Sequence, residues 1–146
     1  MLDKKFIGWE SEPHTIEVEK GRLCFFAEVL GETNPIYTDE KAAQAAGYRS
    51  LLAPPTFPFC LEMDTAVSFG ILKMLSVNLG QILHGEQSFT YHLPICAGDR
   101  LTFRTRIADI YEKKGGALQF IVQETTSVNQ DNQLTTVLRS IIVVRS

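Results

Sequence analysis

Residues 51–75 read LLAPPTFPFCLEMDTAVSFGILKML. Pro54 and Pro55 cannot sit inside a helix but suit its entrance, where a missing N–H costs nothing. The pattern predicts a helix from there to about Leu75, roughly 30 Å long at 1.5 Å per residue, with Gly70 as its weak point. The segment is apolar nearly all round, which marks a buried helix rather than a surface one. Such a helix needs a face to cover, and the rest of the chain supplies it.

After Leu79 the texture changes to alternation with period two. Phe89, Tyr91 and Leu93 share one side against Ser88, Thr90 and His92. Leu101, Phe103, Thr105 and Ile107 share one side against Thr102, Arg104 and Arg106. Leu118, Phe120 and Val122 follow, then residues 134–144. The turn signals PICAGD, EKKGG and NQDN separate these runs. SIIVVR is apolar on both faces, as a central strand is. Four strands with short connections make an antiparallel sheet. The economical architecture is α+β, a strongly curved sheet wrapped around one long helix.

Upstream, TIEVEK alternates and predicts a short strand. KGRLCFFAEVL places Leu23, Phe26, Ala27 and Leu30 on one helical face, and Gly31 ends that helix. TDEKAAQAAG predicts a second helix, capped by Thr38, with Asp39 and Glu40 in its first turn and Gly47 as its stop. No repeat or low-complexity segment interrupts the chain, so residues 1–146 are expected to form one domain.

Hydrophobic residues make up 45% of the 146, enough for a full core, and the formal net charge is −3. With no basic run, nucleic acid and anionic membrane surfaces are excluded as expected partners. No stretch of 18 apolar residues exists to span a membrane. Cys24, Cys60 and Cys96 are odd in number and widely spaced, without a CxxC pair. That argues against a disulfide framework or a zinc cluster and for free thiols in a reducing cytoplasm. The opening MLDKKFIGWESEPHT has no apolar run, so no signal peptide is expected.

The chemistry-bearing stretch is LGETNPIY, residues 30–37: a glycine, a carboxylate, an Asn-Pro and a tyrosine. In its wider context, FAEVLGETNPIYTDEKAAQAAGY resembles the hydratase motif of MaoC-like (R)-specific enoyl-thioester hydratases and 3-hydroxyacyl-thioester dehydratases. That motif runs Gly-Asp-x-Asn-Pro-apolar-His into a short helix. LLAPPTF and HGEQSFTYHLPICAGDRLTF look like the N-terminal-type MaoC branch. The resemblance covers about residues 16–144 and implies the hot-dog fold. Gly31, Asn34 and Pro35 fall on the motif. Its catalytic Asp position holds Glu32 and its catalytic His position holds Tyr37, so both catalytic residues are substituted.

The family adds water to, or removes it from, a carbon–carbon double bond beside a thioester. Charge developing on the thioester oxygen needs N–H donors, and a helix N-terminus offers them. The resemblance places these at the entrance of the apolar helix, from Thr56, Phe57 or Ala53. Proton transfer needs an acid and a base within reach of one water. Glu32 keeps a carboxylate but carries it one methylene further out. Tyr37, with a reference pKa of about 10, is protonated at neutral pH and is a poor base. The two can form a weak acid–base pair. Equally, Gly-Glu-x-Asn-Pro is a turn joining two helices, with Asn34 bonded to backbone.

His84, at the start of the first long strand, is a candidate proton carrier or a hydrogen-bonded structural residue. His92 is expected to face solvent, and His14 has no assigned role. Asp99, in AGDRL, reads as a turn residue. Arg104 and Arg106 suit either a solvated strand face or the phosphates of a coenzyme A or carrier-protein arm.

The resemblance therefore implies an acyl-thioester substrate that brings its own coenzyme A or phosphopantetheine, with no further cofactor and no metal. The leading expectation is a hydratase/dehydratase subunit that pairs, as homodimer or heterodimer, with another hot-dog subunit. A self-sufficient homodimeric hydratase using Glu32, an acyl-thioesterase and a non-enzymatic acyl-thioester-binding protein are the alternatives.

Overall fold

Five strands form one antiparallel sheet in the order β1-β3-β4-β5-β2. The structure, a computed structural model, describes residues 1–145. The strands are β1 (His14–Glu17), β2 (Ile82–Tyr91), β3 (Arg100–Lys113), β4 (Leu118–Val128) and β5 (Leu134–Arg145). Alternation made the four long strands legible, and the predicted inward face of β3 is the observed one: Leu101, Phe103, Thr105 and Ile107 are all buried. β5 lies between β4 and β2, as its two apolar faces require. The sheet curves around the helices, the hot-dog arrangement. Register shifts between Ile107 and Asp109 and between His84 and Glu86 mark bulges, which bend strands and raise their twist.

The helices are α1 (Lys20–Val29), α2 (Glu40–Ala45), α3 (Phe57–Asp64) and α4 (Val67–Met74). The apolar segment is thus two short helices, not the single long one its composition predicts. The break falls at Thr65 and Ala66 and not at Gly70, which lies inside α4. Thr65 Oγ1 donates to Glu62 O at 2.7 Å and accepts from Val67 N at 3.2 Å, so one hydroxyl serves the ends of both helices. Ala66 takes left-handed backbone angles, φ 56° and ψ 10°. Nor is the segment buried all round: Phe69 is 49% exposed. On α1 the buried face holds Leu23 and Ala27, while Leu30 is exposed. The cap of α2 is Asp39, whose Oδ1 accepts from Ala42 N at 3.1 Å. Thr38 instead closes a 3-10 turn over Pro35–Tyr37.

The core has two apolar clusters. α3 packs Phe57 and Leu61 with Leu101, Phe103 and Leu138. α4 packs Ile71 and Leu72 with Ile107, Ile110, Ile121 and Val144. Between them lies a polar layer. On β3 it is Thr105, between Phe103 and Ile107. On β4 it is Gln123 and Thr125, following Ile121 on the inward face, and on β5 it is Ser140. Glu62 joins from α3, and all five are buried. Among the described residues, no helix is long and apolar enough to cross a membrane.

Candidate functional site

The turn after α1 is built by local hydrogen bonds. Gly31 ends the helix at φ +69°, a conformation that favours glycine, and Glu32 N donates to Ala27 O at 2.9 Å. Glu32 Oε1 then accepts from Thr33 N at 2.9 Å and from Asn34 N at 3.0 Å. Asn34 Oδ1 accepts from Ile36 N at 3.2 Å and opens the 3-10 turn that carries Tyr37. Both Glu32 and Asn34 are exposed. The carboxylate therefore folds back on its own turn, satisfying two amides next to it.

Tyr37 is half-buried. Its phenol is pushed up from the ordinary value by burial first, then by the negative charge of Glu32 and by Tyr48. It is a hydrogen-bond donor at physiological pH. It lines a cleft of about 330 Å³ together with Tyr48, Ala53, Pro55, Tyr91 and His92. Leu52 N donates to Ile36 O at 3.1 Å, which ties the turn to the segment entering α3. Tyr91 donates its hydroxyl to Pro55 O at 2.7 Å and fastens the end of β2 to the same entrance.

Of the three expected amide donors, two are already used within the chain. Ala53 N donates to Ile95 O at 2.8 Å, and Phe57 N donates to Pro54 O at 2.9 Å. The exposed Thr56 keeps an N–H with no hydrogen-bond partner among the described residues. His84 stands elsewhere. It is exposed, its ring lies 5.5 Å from that of Phe59, and it lines a separate cavity with Gln123 and Ser140. The structure thus brings Tyr37 and Ala53 to one cleft and leaves Glu32 and His84 off its wall.

Tyr48, Tyr91 and His92 are the cleft residues that sequence reasoning missed. His92 is exposed, as strand parity expects, yet it borders the cleft, because β2 ends at Tyr91 and His92 N donates to Thr135 O at 2.8 Å. Alternation no longer applies past that point. Pro94, two residues further on, was the local signal of the strand's end.

Asp99 is a structural clamp. It is 1% exposed and accepts from Arg49 at 2.6 Å and from Cys96 N at 2.9 Å. Arg106 pairs with Glu124 at 2.8 Å and Arg104 stands 3.9 Å from Glu10, the arrangement of a solvated strand face. Cys24, Cys60 and Cys96 are free thiols, and burial pushes Cys60 up. Among the described residues no group of three or more His, Cys, Asp or Glu is placed to hold a metal ion. The cleft therefore offers a neutral phenol and an imidazole, while Thr56 and Phe57 are not among its lining residues. Those groups can orient and donate to an oxygen. No carboxylate lines its wall.

Comparison with known proteins fits this geometry. Residues 5–136 match the model of the FAS1-like, dehydratase domain region. A UPF0336 protein of Streptomyces avermitilis is 40% identical over 116 residues, which cover 78% of this chain and 77% of that one. Among solved structures, the C-terminally truncated HadBC (3R-hydroxyacyl-ACP dehydratase) complex from Mycobacterium tuberculosis superposes with a TM-score of 0.83. It is 26% identical and the match covers 94% of this chain and 96% of that one. A MaoC-like dehydratase shares the fold at a TM-score of 0.86 and 22% identity, over 97% of this chain and 42% of that one. With a family match over most of its length and a close relative among the UPF0336 proteins, the chain belongs to the FAS1-like dehydratase-domain family, on a MaoC-like hot-dog fold.

Proposed function

We propose that this chain is a subunit of a hydratase/dehydratase for 3-hydroxyacyl and trans-2-enoyl thioesters, serving mainly to bind substrate beside a hot-dog protomer that carries the Asp and His. One observation carries the reading: Glu32 has its Oε1 engaged by two amides of its own turn, while Tyr37 on the cleft wall is a neutral phenol. Neither group is disposed as a base. What remains is a cleft with a mainly apolar lining and a donor phenol, which suits holding an acyl thioester.

Pairing is consistent with the sheet itself, since β1 and β2 are edge strands whose outer backbone groups invite a second sheet. The HadBC neighbour is likewise a complex. Three unpaired cysteines suit a reducing, cytoplasmic setting.

The test is hydration of a trans-2-enoyl-CoA by the purified chain, alone and with candidate hot-dog partners. The chain alone is expected to be inactive. The pair is expected to be active and to keep its rate within a few-fold in Glu32→Gln. Hydration by the chain alone that is abolished in Glu32→Gln would replace this reading with a self-sufficient enzyme. Thiol release without hydration would identify a thioesterase, and binding without turnover in any pairing would leave a carrier.

A further inference from the structure

Two tyrosines flank α2, one on either side in sequence, and both line the cleft of about 330 Å³. Tyr37 ends the 3-10 turn before the helix, and its N–H donates to Asn34 O at 3.3 Å. Tyr48 follows Gly47, whose φ of +95° turns the chain past α2, and its N–H donates to Ala43 O at 3.0 Å. The backbone under each ring is therefore held by its own turn. Both residues are half-buried. The third cleft tyrosine, Tyr91, spends its hydroxyl on Pro55 O. The hydroxyls of Tyr37 and Tyr48 have no hydrogen-bond partner among the described residues. Tyr48 also adds to the upward push on the Tyr37 phenol, so the two share one neighbourhood.

A further hydroxyl on the same lining is unspent. Thr136 lies on the inward face of β5, in step with Leu138, and pairs in register with Tyr91. It is 0% exposed, and its Oγ1 has no hydrogen-bond partner among the described residues. A buried polar group left in that state costs about 1–3 kcal/mol. Three unspent hydroxyls on one cleft match a ligand that carries oxygen. The amides expected at the entrance of α3 do not compete for it. Ala53 N and Phe57 N bond within the chain, and Thr56 and Phe57 stand outside the lining. A carbonyl entering the cleft meets side-chain O–H groups, which are donors of the kind that stabilise an oxygen gaining charge.

We propose that Tyr37 and Tyr48 together hold the thioester carbonyl oxygen in this cleft, each donating one hydrogen bond to it. The inference rests on the acyl-thioester reading above and adds the group that is selected, the carbonyl rather than the alkyl chain or the sulfur. Two donors orient and polarise the thioester and leave removal of the α-proton to another group.

Two probes of one shape test it: hexanoyl-CoA, and S-hexyl-CoA, in which a methylene replaces the carbonyl. Dissociation constants are measured for the purified chain, and the infrared stretch of the bound carbonyl is read with carbon-13 at that position. The thioester is expected to bind about tenfold more tightly than the thioether. Tyr48→Phe and Tyr37→Phe are each expected to lower that ratio by about fivefold, one hydrogen bond's worth, by weakening the thioester alone. The carbonyl stretch is expected to lie below its value in water and to rise in each variant. A ratio and a stretch that Tyr48→Phe leaves unchanged overturn the proposal while the acyl-thioester reading stands. Binding of neither probe overturns both. Should a variant fail to fold, the wild-type ratio and stretch decide: equal binding of the two probes, with the carbonyl as in water, overturns the proposal.

Discussion

Glu62 Oε1 accepts a hydrogen bond from Thr125 Oγ1, joining α3 to β4 inside the core, and Thr125 Oγ1 lies 2.8 Å from Thr105 Oγ1 on β3. A carboxyl, two hydroxyls and three elements are linked where an apolar core would be expected. Burial holds the Glu62 carboxyl above the ordinary value, with the Thr125 bond and the nearby His84 pulling the other way.

That shift sets a pH dependence. The unfolded carboxyl titrates near 4.5 and the folded one above it, so the folded state binds more protons in the window between. Stability is then lost as pH rises through that window. Glu62→Gln lacks the ionisation, and its urea midpoint relative to wild type is expected to be higher at about pH 8 than at about pH 5. Glu62→Ala, which takes an acceptor from Thr125 and opens a void, is expected to cost about 2–4 kcal/mol at about pH 5 and less at about pH 8.

Gly85 occupies the bulge of β2. A Cβ there would stand 2.8 Å from Val143 Cγ2 and 3.1 Å from Ile141 O, with no flexible side-chain end to yield. Gly85→Ala is expected to destabilise by about 1–3 kcal/mol through overpacking. The midpoint of urea unfolding should fall with the slope unchanged.

Ala66 makes the opposite case. Its left-handed backbone costs an L-residue about 1–2 kcal/mol, which glycine avoids. Ala66→Gly is expected to be neutral or to stabilise by about 0.5–1 kcal/mol. The same change at Ala43, buried inside α2, is expected to cost at least about 1 kcal/mol. Thermal midpoints of the two variants, moving in different directions, check the pair.

Asp99 and Arg49 form an unequal ion pair, 1% and 62% exposed at their side chains. Asp99→Ala leaves the buried Cys96 N–H without its acceptor and is expected to cost about 2–3 kcal/mol. Arg49→Ala removes a partner that is mostly in water and is expected to cost about 1 kcal/mol. Chemical unfolding of both variants should rank them in that order.

β3 and β4 were legible because one face of each is buried and alternation records burial directly. The helix break was not, because it rests on a hydroxyl, Thr65, and on a left-handed alanine, neither of which carries a sequence signature as strong as Gly70 or a proline. At the turn, Gly31, Asn34 and Pro35 announced their geometry in advance. The direction of the Glu32 carboxylate did not, since a residue one methylene longer than Asp can reach either outward or back to its own amides. In sequence Glu62 is a charge within a mainly apolar run, with nothing nearby to pair it. Its partner lies 63 positions away on β4, and only the folded chain brings Thr125 to it.

The polar layer across the core has a mechanical consequence. Leu61 and Ile71 belong to different apolar compartments, so truncating each to alanine disturbs separate sets of neighbours. Their losses should sum to within about 0.5 kcal/mol in the double variant. Leu61 and Leu138 share a compartment, and their double variant should depart from the sum. The domain would then carry its stability as two reservoirs on either side of a hydrogen-bonded partition, and damage to one would leave the other intact.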